Sequence, residues 1–168
     1  MKYVFNPSKD WFTHNIPKWK KYLKLLPDFS QILEIGSFEG RSACWILDNI
    51  KCNLTCIDIW EKDPVIEANF DFNTAGRVHK IKAKSSLALR SLPLNFYDFI
   101  YIDGNHTPLN VLEDAVLCHR LLKKGGLLCF DDYKWKVIDI SKSIDFFLET
   151  FEYEVLEKCY QVWCRRKK

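Results

Sequence analysis

Apolar positions along this chain follow two alternating rhythms. Short, mostly apolar runs occur at Gln31–Ile35, Leu54–Ile59, Tyr97–Ile102 and Gly126–Phe130, and Val78–Ala83 reads as a further strand. Their length and their branched or aromatic content suit strands buried on both faces. Between them the spacing changes to the helical period. Arg41–Ile50, Pro64–Phe72 and Ser86–Ser91 read as helices, and Val111, Ala115, Cys118 and Leu122 keep one face of another. Residues 14–26 read as a helix ahead of the first strand, with Pro17 at an early helical position and Pro27 as its stop. Val137–Phe151 reads as one long helix, and Tyr153–Leu156 and Gln161–Cys164 as two closing strands with little room between them.

Strands that alternate with helices predict an α/β fold built on a mostly parallel, doubly wound sheet with helices on both faces. The strand count is seven, and the last two lack an intervening helix, so they are expected to form an antiparallel edge hairpin. A length of 168 residues suits one domain. Residues 1–29 form an N-terminal helical extension and residues 30–164 the core. Such sheets bind ligands beyond the carboxyl ends of their strands.

Composition narrows the options. Hydrophobic residues make up 48% and charged residues 28%, which excludes a disordered chain. No window is apolar enough for a membrane span, and the first residues, MKYVFNPSKDWF, do not read as a signal peptide. A net charge of +3 is too small to argue for nucleic acid, so the Arg165–Lys168 run and the lysines at 18, 20, 21 and 24 read as solvated faces. Seven cysteines without a C-x-x-C pair sit mostly in apolar runs, as reduced cysteines do, so a reducing, cytoplasmic setting is expected.

The chemistry-bearing residues collect at the predicted strand ends. The first strand ends in EIGSFEGRS, with Gly36 and Gly40 four apart before a helix. Glycines there let the backbone turn sharply, and a helix N-terminus suits a carboxylate or phosphate. Ser42 could add a hydroxyl donor, and a plain strand-to-helix turn is the rival reading. Asp58 ends the second strand with Trp60 just beyond; an acid there can hold ribose hydroxyls or simply cap a helix. Ser85 follows the third strand and suits either an adenine edge or a helix cap. The fourth strand ends in Asp103-Gly104-Asn105-His106 and the fifth in Asp131-Asp132-Tyr133. Three carboxylates brought together would repel unless a cation sat among them, and oxygen ligands suit Mg²⁺ or another hard divalent ion. An imidazole beside them can take a proton near neutral pH. The rival reading has one aspartate capping a helix and another bound to backbone.

The order ILEIGSFEGRSA, YIDGNH and LLKKGGLLCFDDY resembles class I S-adenosylmethionine (SAM) dependent methyltransferases over roughly residues 30–164. Within them it is most similar to the small group with I-D-G-x-H and D-D-Y segments, related to metal-dependent O-methyltransferases of sugars and catechols. The resemblance implies a Rossmann-like fold and SAM as cofactor. It places Glu34, Gly36, Ser37 and Ser42 around the methionine part, with Gly40 and Asp103 also among the cofactor-binding residues. Asp58 would hold the ribose, with Trp60 and Ser85 near the adenine. Asp103, Asp131 and Asp132 match the metal ligands, with His106 and Asp103 in the catalytic positions. The implied reaction is metal-assisted O-methylation of a small-molecule or sugar hydroxyl. Lys84 departs from the acidic residue that many relatives carry before the serine, which weakens the adenine assignment.

Other classes stay in play at this level. They are a metal-assisted hydroxylase or hydrolase on the same scaffold, a non-catalytic binding module and an RNA methyltransferase; a homodimer is also open. Nucleic acid is disfavoured because no N-P-P-Y-like segment follows the fourth strand. The remaining histidines, His14, His79 and His119, read as surface or half-buried groups without partners. Phe70, Phe72, Phe130, Phe146 and Phe147 read as core, and Trp11 and Trp19 as packing for the N-terminal helix rather than an acceptor cleft.

Overall fold

A computed structural model describes residues 3–61 and 63–168; Met1 and Lys2, at the start of the segment weighed above as a leader, lie outside the described residues. Seven strands form one sheet: β1 (Ser30–Ile35), β2 (Cys52–Asp58), β3 (His79–Lys82), β4 (Tyr97–Ile102), β5 (Leu122–Phe130), β6 (Tyr153–Lys158) and β7 (Val162–Arg166). Their order is β3-β2-β1-β4-β5-β7-β6. The pairs among β1 to β5 are parallel, while β7 runs antiparallel to both β5 and β6. The doubly wound sheet and its edge hairpin are therefore as the sequence pattern requires. The chain reverses its strand order between β1 and β4, where such sheets open a ligand crevice.

Helices α1 (Ile16–Leu23), α2 (Arg41–Asn49), α3 (Pro64–Thr74), α4 (Ser85–Ala88), α5 (Pro108–Leu121) and α6 (Ser141–Thr150) cover the sheet. Two buried clusters lie on its two faces. One joins Leu33, Ile35, Ile100, Ile102 and Leu128 to Ala115, Cys118, Ile144 and Phe147 from α5 and α6. The other joins Ile32, Phe99, Tyr101 and Cys129 to Trp19, Ala43, Ile46 and Phe70 from α1, α2 and α3. Alternate residues of β4 thus feed opposite faces, as the two-residue period of a strand demands. Among the described residues no helix is long and apolar enough to cross a membrane. All seven cysteines are free thiols.

Several local expectations are corrected. The helix expected over Val137–Phe151 begins only at Ser141. Asp139 ends the preceding turn by accepting from both the backbone N–H (3.0 Å) and the hydroxyl (2.5 Å) of Ser141. Strand β5 starts at Leu122, four residues before Gly126, because Leu122 pairs with Tyr97 of β4, and the Lys123 side chain is anchored beside it on Asp98 at 2.7 Å. Phe70, Phe130 and Phe147 are fully buried, but Phe72 is 55% and Phe146 58% exposed. Neighbouring aromatics on one helix cannot all point inward at 100° per residue. Trp19 is fully buried, whereas Trp11 is 58% exposed.

Candidate active site

The strand tips are locked in register. One step past the strands, the Gly36 N–H donates to Ile57 O (2.9 Å), the Asp103 N–H to Ile35 O (2.8 Å) and the Asp131 N–H to Ile102 O (3.0 Å). Gly36, Asp103 and Asp131 therefore stand in one row at the carboxyl edge. The row is tight. A Cβ on Gly36, whose φ is +84°, would lie 1.8 Å from the Asp103 carbonyl oxygen.

The turn from β1 into α2 is organised by two carboxylates. Glu34 is fully buried and accepts the hydroxyls of Ser37 (2.6 Å) and Ser42 (2.5 Å). Burial raises its pKa against the pull of those two bonds. Asp58 accepts the Ser37 and Phe38 N–H groups on one oxygen, both at 2.9 Å, and the Ile59 and Trp60 N–H groups on the other, at 2.6 and 3.2 Å. Glu34, Ser37, Ser42 and Asp58 thus form one internal scaffold for the turn, and Gly40 completes it at φ +82°. Trp60 is not open to a ligand in this arrangement: it is 5% exposed, donates to Phe38 O at 2.8 Å and packs on Phe70 at 4.7 Å. Ser85 opens α4 and stays half-buried.

Asp103, His106 and Asp132 converge. Each offers a ligand atom within 4.8 Å of the others. His106 Nε2 lies 2.6 Å from Asp132 Oδ2 and 3.4 Å from Asp103 Oδ1. Asp131 does not join them, although it was expected beside Asp103 and Asp132 as a third oxygen ligand. It is 6% exposed, and its side chain accepts from Tyr101 Oη, from Gln161 Nε2 (3.2 Å) and from the Asp132 N–H (2.8 Å). Consecutive residues point to opposite sides of a chain leaving a strand, so only one of the pair can face the cleft. The set that could hold a cation is two carboxylates and an imidazole.

Electrostatics follow from this crowding. Burial, and then the charge of Asp131, raise the pKa of Asp103. Burial also raises Asp131. Burial works against Asp132 too, but the bonds from His106 and Tyr160 hold it below its ordinary value. Hydrogen bonds to Asp103 and Asp132 push His106 up to about 10, so in this arrangement the ring holds its proton at neutral pH.

Sequence reasoning missed the groups that hold these side chains. Tyr101 is 1% exposed; it donates to Asp131 and lies 3.1 Å from Asp103 Oδ2. Gln161 is fully buried and accepts the indole N–H groups of Trp19 and Trp163, both at 3.2 Å. Tyr160 donates to Asp132, and Trp135 sets its ring 5.1 Å from that of His106. Only Tyr101 left a signal, as a hydroxyl-bearing aromatic two residues before Asp103 on the same strand face.

The N-terminal segment flanks this edge. Asn73 clasps both the N–H (2.7 Å) and the carbonyl (2.8 Å) of Val4, and Glu39 of the turn accepts the Asn6 N–H at 2.8 Å. Further on, Trp11 meets Phe38 at 5.3 Å and His14 meets Tyr160 at 5.8 Å. His14 and His119, which also sits 3.2 Å from Tyr153 Oη, therefore have neighbours that the sequence did not reveal.

Asp114 of α5 is a further unanticipated group. It is 1% exposed, its Oδ2 has no partner, and that atom lies 3.6 Å from where a Cβ on Gly104 would stand. Burial raises it from 3.8 to about 6. The folded state then holds a proton that the unfolded chain has lost, so this group's contribution to stability falls as pH rises between those two values. The loss should reach about 2–3 kcal/mol by pH 7. Asp114→Asn should remove it, so urea unfolding at pH 4.5 and 7 should show the variant gaining on the parent at the higher pH. Equal differences at both pH values would refute the assignment.

A mostly parallel sheet with an antiparallel edge hairpin, a glycine turn after β1 and an acid ending β2 is the arrangement of the methyltransferase class of α/β domains. Residues 33–133 match the family model described as a methyltransferase domain, and the chain belongs to that family. Among curated proteins it is 34% identical over 113 residues to an uncharacterized protein of Acanthamoeba polyphaga mimivirus, covering 61% of this chain and 51% of that one. It is 26% identical over 109 residues to the O-methyltransferase ankF of Aspergillus thermomutatus, covering 61% of this chain and 45% of that one. The chain spans about half the length of these curated relatives. Among solved structures it shares the fold of the N-methyltransferase NodS of Bradyrhizobium japonicum, determined with S-adenosylhomocysteine. The TM-score is 0.66 and the identity 16%, with 95% of this chain and 90% of that one covered. The fold is that of SAM-dependent methyltransferases.

Proposed function

We propose that this chain transfers the methyl group of SAM to a hydroxyl oxygen of a small molecule or sugar. The observation that carries this reading is the meeting of Asp103, His106 and Asp132 within 4.8 Å, beside the glycine turn. The name of the ankF relative, an O-methyltransferase, supports it. SAM, when bound, supplies a methyl carbon that is already electrophilic, so the protein's task is chiefly alignment. Gly36, Gly40 and the N-terminus of α2 would receive the methionine part, held in shape by Glu34, Ser37 and Ser42. Asp58 would take the ribose by exchanging some of its backbone N–H partners for hydroxyls. The orphaned Oδ2 of Asp114, beside Gly104, is an acceptor still lacking a donor; a ligand rich in N–H and O–H groups suits it.

His106 would take the acceptor's proton, with Asp132 fixing its ring. Because its bonds to the two carboxylates favour the charged ring, the free base that accepts this proton grows with pH, and turnover is expected to rise on the alkaline side of neutrality. Asp103 and Asp132 would hold a divalent cation, which leaves the His106 lone pair free to accept the proton. Such an ion would lower the pKa of the acceptor hydroxyl.

Two measurements test the reading. Calorimetry with S-adenosylhomocysteine should show saturable binding; a protein indifferent to that ligand would end the methyltransferase assignment. Methyl transfer to a panel of phenols and sugars should then fall to background in excess EDTA and return with added divalent ion. Undiminished turnover under chelation would remove the cation from the scheme while leaving the donor site intact.

A further inference from the structure

A second concave site lies at the opposite pole of the sheet. There β5 begins, β7 ends, and α5 and α6 finish. They surround a cavity of about 220 Å³ lined by Lys124, Arg166, Lys167, Lys168, His119 and Glu152, among others. Four cationic side chains thus meet one carboxylate. The adjacent cations are already matched: Lys123 by Asp98 at 2.7 Å and Arg165 by Glu154 at 3.8 Å. Arg166 instead meets neutral oxygens, those of Asn95 and the Leu122 carbonyl. Among the described residues no carboxylate pairs with Lys124, Arg166, Lys167 or Lys168.

A structural explanation competes. The C-termini of α5 and α6 carry partial negative charge, and cations gather at such ends. The magnitudes decide against it as the whole account. Even with two helix ends at roughly −0.5 each, and Glu152 and a terminal carboxylate at about −1 each, roughly +4 from the four cations leaves a positive surplus. His119 registers that surplus: burial first, and then the charge of Arg166, lower its pKa.

We propose that this cavity binds a phosphate group. A phosphate's negative charge offsets the surplus, the Arg166 guanidinium offers the planar fork that phosphate oxygens accept, and the lysines add point charges. The site is separate from the strand tips and stands independently of the methyl-transfer reading.

Pyrophosphate is the probe. Titrated into the whole protein, it should give saturable binding by calorimetry and move the ring resonances of His119 in an NMR spectrum, leaving those of His106 in place. Arg166→Gln should weaken binding at least about tenfold, the loss of one bidentate charged contact. Because Arg166 also braces Leu122, the exposed pair Lys124→Gln with Lys167→Gln serves as a second test and should weaken binding by a similar factor. Absence of saturation, or unchanged affinity in the lysine variant, would overturn the proposal. A single-stranded RNA arm distinguishes the source of the phosphate. Binding that His119 reports and that falls steeply with salt would identify a nucleic-acid backbone. Shallow salt dependence and preference for pyrophosphate would identify a small phosphorylated ligand.

Discussion

His106→Ala should lower methyl-transfer turnover by about 10²–10⁴-fold, the usual contribution of a positioned base, and leave affinity for S-adenosylhomocysteine nearly unchanged. The separation rests on geometry. His106 is held by Asp132 at 2.6 Å on the loop past β4, whereas the residues expected to receive the donor are tied to one another around Glu34 and Asp58. Removing the ring deletes a hydrogen-bond partner of two carboxylates without touching the glycine turn. Single-turnover rates with calorimetric affinities for the same preparation make the comparison. A variant that keeps full activity would show that the proton leaves by another route. One that loses donor binding as well would show that His106 braces the donor site.

Gly36→Ala should be the most damaging conservative change in the chain. The added methyl would stand 1.8 Å from the Asp103 carbonyl oxygen and 2.4 Å from its carbon, and both are backbone atoms of a central strand tip. No side-chain rotation relieves that clash, and φ of +84° adds about 1 kcal/mol or more of strain for an L-residue. The tips of β1 and β4 must separate, which breaks the row that joins Gly36, Asp103 and Asp131. A loss of about 4 kcal/mol or more is expected, read as a fall in Tm of about 10 °C or more. Gly76 is the control. It also has positive φ, at +71°, but a Cβ there meets nothing within 4 Å, so Gly76→Ala should cost only the backbone strain. Equal effects at the two glycines would refute the steric account.

The strands were legible because parallel strands buried on both faces must be short apolar runs; β4 is Tyr97–Ile102 in the pattern and in the structure alike. Boundaries failed where polar residues carry regular structure. Lys123 and Lys124 look like loop but lie within β5, in the irregular stretch between the Tyr97–Leu122 and Phe99–Leu127 pairs, and the apolar Val137 and Ile138 look helical but stand exposed ahead of α6. At the site, the acids at the strand ends could be read because position alone places them. Their orientations could not. Asp131 turns inward because Tyr101 and Gln161 wait for it, and Gln161 is 30 residues away in sequence. Trp11 and Trp19 show the same limit: eight residues apart and alike in composition, one seals the core and the other lies against Phe38 at the site's edge.

The buried amide of Gln161 has an optical consequence. Trp19 and Trp163, both fully buried, donate to a single Gln161 oxygen, while the nitrogen of the same amide reaches Asp131. Indole emission shifts with the local electric field, so a change of charge at Asp131 is passed through one rigid dipole to two chromophores. Emission from these two indoles is therefore expected to shift when the charge at Asp131 changes.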